Sequence, residues 1–190
     1  MSCSRCEARH QHPLDHVWAC CYSRADWSSS YSTTYHPFLP ILDVKRTPHE
    51  YYQISELLFW SVMSVSSRRF ASQPMLLQKL ARSVTDLFWK TIRTVPYSLT
   101  TVQSLALLCT WPFPISNSTA DLTPMLIGCM LQAGTQIGLH CAMDAQDFAR
   151  VPTRLDAFEH AEWVRSWKAC KIVAQRLVCC IRSSSQHHEN

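Results

Sequence analysis

Hydrophobic positions recur at helical spacing in five stretches of the chain, most of them opened by a recognisable start signal. Thr47-Pro48-His49-Glu50 places threonine at an N-cap, proline at the first helical position and glutamate at the third. That arrangement satisfies backbone N–H groups that the helix itself leaves unpaired. The helix it starts is predicted to run to about Phe70, with Leu58, Val62 and Val65 as its apolar stripe and Phe59 and Met63 beside it. Arg68 and Arg69 fall in its last turn, where cations favour the helix dipole. Pro74 opens a second helix to about Thr94, with Leu77, Leu80, Val84, Leu87, Phe88 and Ile92 at helical spacing, and Pro96 ends the pattern. Thr100-Thr101-Val102-Gln103 reads as another capping box, for a helix to about Thr110. Thr123-Pro124 starts a fourth, with Leu126, Cys129, Met130, Ala133 and Ile137 on one face, and Gly138 suits the left-handed residue that closes many helices. Asp156 to Glu159 resembles a capping start for a fifth, striped by Trp163, Trp167, Cys170, Ala174 and Leu177 and running to about Ile181.

The connectors fit this picture. Tyr35 to Asp43 is stiffened by Pro37 and Pro40, so it is expected to lie extended across the core, held by Phe38, Leu39, Ile41 and Leu42. Trp111-Pro112-Phe113-Pro114 breaks an apolar helix, as a core-anchored rigid turn or as a recognition motif for a partner. No stretch alternates like a half-buried strand. The expected fold is therefore all-α, an irregular array of about five helices with disordered ends. Residues 1–30 lack periodicity and read as a poorly ordered tail, 31–178 as the domain, and 179–190 as a frayed tail.

Composition narrows the class. Of the 190 residues, 47% are hydrophobic and 17% charged, enough apolar material for a real core. A net charge of +4 is mildly basic, and no Lys/Arg cluster has the density of a nucleic-acid-binding arm. The ten cysteines follow no signal-peptide-like apolar run, and Cys109, Cys129, Cys141 and Cys170 sit in or beside helical patterns. They read as reduced thiols acting as small hydrophobes, which suggests cytosol or nucleus. No segment approaches the ~18 uninterrupted apolar residues of a membrane span, so no membrane partner is expected.

Candidate chemistry is sparse. Cys3 and Cys6, with His10, His12 and His16, could supply zinc ligands, but the spacing after Cys6 matches no finger. His140-Cys141 adjacency does not put a base on a nucleophile. Asp144 with Asp147, or Glu159 with Glu162, read as surface or capping carboxylates rather than a catalytic pair. Gly128 and Gly134 lie within a helical pattern and read as close-packing points against a neighbouring helix, not as a phosphate loop. No catalytic, cofactor-binding or metal residue is assigned, and no enzyme is expected.

Four blocks carry a resemblance. They are His36 to Asp43; Glu50-Tyr51-Tyr52 through Leu57-Leu58-Phe59-Trp60 to Arg68-Arg69; Thr101-Val102-Gln103 to Leu107-Leu108-Cys109 with Trp111-Pro112; and Gly138-Leu139-His140. In this order they resemble the middle regulatory region of fungal zinc binuclear cluster transcription factors, the fungal-specific transcription factor domain, over about Tyr31 to Leu177. The chain departs from that family in its DNA reader. Cys3 and Cys6 have the first spacing of the zinc cluster, but Pro13 stands where the third ligand belongs, and the second half-cluster is absent. Cys141 replaces the basic residue that follows the closing histidine, and the family's regulatory region runs well beyond residue 190.

The resemblance therefore implies a partial regulatory domain, truncated and lacking the zinc cluster. It implies transcriptional regulation in the nucleus, with no cofactor in this chain and zinc only in the family's missing cluster. Implied partners are a second copy or other transcription proteins, DNA through the missing module alone, and a small-molecule effector. The alternatives are a truncated non-functional gene product, a stand-alone helical interaction protein, or a zinc-dependent binder built on the N-terminal Cys/His group.

Overall fold

The computed structural model describes residues 29–69, 76–114, 121–141 and 156–186, with side chains to Arg176. Six α-helices occur among the described residues: α1 (Pro48–Ile54), α2 (Glu56–Ser67), α3 (Leu76–Ile92), α4 (Leu99–Thr110), α5 (Thr123–Gln136) and α6 (Ala157–Gln186). A π-turn (Tyr31–Tyr35) and two 3-10 turns (His36–Phe38 and Leu139–Cys141) complete them, and the described residues contain no strand. The all-α expectation holds.

The capping box at Thr47 is present: Glu50 N–H donates to Thr47 Oγ1, and Thr47 N–H donates to Glu50 Oε2 at 2.6 Å. The helix it starts is not continuous. Ser55 adopts an extended conformation, ends α1, and caps α2 by accepting from Leu58 N–H at 3.2 Å. One predicted helix is thus two, which raises the count from five to six.

The next start is also shifted. Ser98, not Thr100, caps α4 by accepting from Thr101 N–H at 3.3 Å, so Gln103 is released from a capping role. The box at Asp156 is present, with Glu159 N–H to Asp156 Oδ1 at 2.7 Å and Asp156 N–H to Glu159 Oε2 at 3.0 Å. Helix α6 continues past Ile181 to Gln186. Gly138 closes the α5 region at φ +83°, the left-handed conformation in which a Cβ is strained.

Two helices form the centre. Every residue from Leu57 to Ser67 in α2 and from Thr101 to Cys109 in α4 is buried. Both are wider than the stripes their sequences suggest. Several of their polar positions tolerate burial because hydroxyls bond to their own helix, Ser61 to Leu57 O at 2.7 Å, Ser64 to Trp60 O at 2.8 Å and Ser104 to Thr100 O at 2.6 Å, whereas the buried Ser66 hydroxyl has no partner among the described residues. Helix α3 packs on α2, α5 on α4, and α6 across α4 and α5. α3 buries one stripe, Leu76, Leu80, Val84, Leu87 and Phe88; Leu77 and Ile92, which spacing assigns to it, are only half-buried, and Leu76 takes the place of Leu77.

The segment before α1 is held by Leu39, Ile41 and Leu42, which are buried, while Phe38 is 80% exposed. Phe38 therefore does not anchor it, because the turns from Tyr31 to Phe38 replace the extended path expected there and point that side chain outward. Gly134 is a close-packing point: a Cβ there would lie 3.2 Å from Trp167 Cζ3 on α6. Gly128 is not, since a Cβ there would meet nothing within 4 Å.

Candidate ligand cleft and the contacts that hold it

The break after α4 is fastened at both ends of its first peptide units. Trp111 caps α4 with φ −124° and ψ 76°, out of the helical region, and the prolines at 112 and 114 cannot continue the ladder. Arg68, just past the end of α2, donates from Nη2 to the carbonyls of Trp111, at 3.0 Å, and of Pro112. The Trp111 ring meets Tyr35 edge-on, with centroids 5.4 Å apart. Its neighbour Arg69 donates from Nη1 to Thr34 Oγ1 at 2.7 Å. The adjacent arginines thus tie the end of α2 to the break and to the first turn, beyond any favourable interaction with the α2 dipole. The Trp-Pro-Phe-Pro segment is anchored, as its rigid reading predicts.

That anchoring shapes a cleft. Helices α3 and α5 flank different central helices, and a cavity of about 290 Å³ lies between them across the end of α4. Its floor is apolar: Phe88 from α3, Leu108 from α4 and Leu126 from α5. Pro112 and Phe113 supply one wall. Polar groups gather at its edge: Arg82, Thr85 and Asp86 on α3, and Asp121 and Thr123 at the start of α5. Asp121 is half-buried, and its Oδ1 accepts from Thr123 N–H at 2.9 Å, satisfying one donor of the α5 N-terminus. A mostly apolar concavity with a few converging polar groups is the general form of a small-molecule site.

A second feature joins three segments through one amide. Gln103 is 2% exposed, and its Nε2 lies 3.1 Å from Ile41 O, 3.0 Å from Glu162 Oε1 and 3.2 Å from Ser166 Oγ. Two hydrogens shared among three acceptors bind the segment before α1, the central α4 and the outer α6. Glu162 is therefore a structural acceptor, while Glu159 serves the α6 cap, so the two carboxylates converge on no common point. Gln103 sits among Thr101, Val102 and Ser104, so nothing in the sequence marks it as a junction, and its spacing from Thr100 points to a cap.

The other sequence candidates are dispersed. The His140 ring lies 6.2 Å from that of Trp167, and Cys141 beside it is half-buried. Cys109, Cys129, Cys141 and Cys170 are free thiols. Burial pushes the Cys109 thiol well above its usual range and that of Cys170 up to about 12, opposite to an activated nucleophile. Cys3, Cys6, His10, His12, His16, Asp144 and Asp147 lie outside the described residues. Among the described residues no group of three or more His, Cys, Asp or Glu could hold a metal, and no helix is long and apolar enough to cross a membrane.

Comparison with known proteins is consistent along the chain. The profile of the fungal specific transcription factor domain matches residues 27–180. The regulatory protein LEU3 of Saccharomyces cerevisiae is 26% identical over 166 residues, covering 80% of this chain and 18% of that protein. The transcriptional regulatory protein SEF1 of Candida albicans is 33% identical over 142 residues, covering 73% of this chain and 15% of that protein. The chain thus spans less than a fifth of the length of these curated relatives. No solved structure matches it significantly.

Proposed function

The chain belongs to the family of the fungal specific transcription factor domain, and on that premise we propose that it is a ligand-responsive regulatory module of transcription acting in the nucleus. The family consists of regulators rather than enzymes, and both named relatives are regulatory proteins. DNA is reached through a separate zinc-cluster module, and the module's protein partners are a second copy or other transcription proteins.

The observation that supports ligand response is the cleft between α3 and α5. Its two sides belong to helices that pack on different central helices, α2 and α4. A molecule that fills it binds one relative placement of those helices better than another, and a ligand shifts a conformational equilibrium only through such differential affinity. The test is reporter output from the full chain fused to a foreign DNA-binding module. Output that changes with nutrient supply is expected; output that stays flat with the fusion folded and nuclear counts against the proposal.

A further inference from the structure

We infer that the α3–α5 cleft takes a small molecule with an apolar body and a cationic or hydrogen-bond-donating end, and that Asp121 holds that end. The inference rests on the ligand-responsive reading above and adds the chemistry of the ligand. Size comes first. The cavity is about 290 Å³, roughly twice the ~150 Å³ of an apolar cavity that accepts benzene. It therefore suits a single ring or branched aliphatic group with a short chain. Phe88, Leu108, Phe113 and Leu126 would surround that body with hydrocarbon.

Charge sets the polar end. The edge of the cleft carries Arg82, Asp86 and Asp121, one cation against two carboxylates. Arg82 and Asp86 are both exposed and stand four residues apart on one helix, so each offsets the other's field. Asp121 remains. It is half-buried, unlike the exposed Arg82 and Asp86, and spends one oxygen on the α5 N-terminus, leaving the second without a hydrogen bond among the described residues. A partly desolvated carboxylate beside an apolar cavity favours an ammonium or hydroxyl end over an anion. The chain as a whole carries +4, a field that favours anions, so a preference for cations must come from the cleft itself.

The experiment titrates the 190-residue chain with three probes of one shape: 3-phenylpropylammonium, 3-phenylpropan-1-ol and 3-phenylpropionate. Saturation-transfer NMR reads the dissociation constants. Expected is saturable binding in that order, with the ammonium at least about tenfold tighter than the carboxylate, equivalent to about 1.4 kcal/mol. Asp121→Asn keeps an oxygen for Thr123 N–H and should shrink the gap to about threefold or less. Leu126→Trp, which fills the cavity, should weaken all three. Carboxylate binding as tight as ammonium, no saturable binding by any probe, or a preference unmoved by Asp121→Asn overturns the inference. These wild-type and Asp121→Asn outcomes stand even if Leu126→Trp fails to fold. Binding with a flat reporter instead sinks ligand response and leaves the site intact.

Discussion

Single residues carry more of this fold than their types suggest. Gln103 is the clearest case, since its amide is the only buried side chain that bridges three separate segments among the described residues. Replacing it with leucine keeps the volume close but leaves the Ile41 carbonyl and the Ser166 hydroxyl without that donor. Gln103→Leu should cost about 1–3 kcal/mol, read as a lower denaturant midpoint, and should speed amide exchange in α6 more than in α3. Uniform change across both helices would show that the amide does not tie α6 down.

Glu50 is a second case, and its effect depends on pH. Hydrogen bonds from the Thr47 backbone and then its hydroxyl hold the Glu50 carboxyl below the usual carboxylate range. Because the folded value is depressed, its contribution is present above the pH at which an unfolded glutamate titrates. It is lost as pH falls through the lowered value. Glu50→Gln should therefore lower Tm near neutral pH and flatten the acid side of the Tm profile. An acid limb identical to that of the wild type would mean that the cap adds no pH-dependent stability.

At the scale of elements, what could be read from the chain was what is local. The caps at Thr47 and Asp156, the break at Trp111 and Pro112 and the left-handed Gly138 depend on residues within one turn of each other and appear where the pattern puts them, while the α3 stripe keeps Leu80, Val84, Leu87 and Phe88 but begins at Leu76 instead of Leu77. The break at Ser55 is local too, a serine that caps α2 by accepting from Leu58 N–H, but the stronger start signal at Thr47 just before it hides it in the sequence. The full burial of α2 and α4 was hidden for a different reason. The stripe named for α2 leaves out its serines, yet serine hydroxyls can be satisfied by carbonyls one turn back and then buried.

Contact between elements was partly readable at glycines. Gly134 does meet α6, whereas Gly128 faces open space, and nothing in the sequence separates the two. The 3.2 Å approach to Trp167 makes this a tight helix contact. Gly134→Val should destabilise the chain by about 1–3 kcal/mol through overpacking, whereas Gly128→Ala should be neutral or slightly stabilising, since it only adds helix propensity. Paired thermal melts distinguish them, and equal losses would contradict the assignment of α5's packing face.

At the scale of the whole molecule, the cleft emerges from arrangement and not from any motif. Its floor residues read from sequence as ordinary core positions, and its polar edge joins residues on α3 to residues preceding α5 across the end of α4. Arg68 matters here as well, because it fixes the Trp111 and Pro112 carbonyls and so the wall that Phe113 completes. The proposed ligand response rests on three observations together: a regulatory family, a packed helical body and an opening of about 290 Å³ between two flanking helices.

Whether occupancy of this cleft sets regulatory output is decided in the reporter fusion by comparing the wild-type chain with Leu126→Trp. The filled variant should give a fixed output that no longer follows nutrient supply, while far-UV circular dichroism and nuclear imaging match the wild type. A folded, nuclear Leu126→Trp fusion that retains the full wild-type response would contradict that role of the cleft.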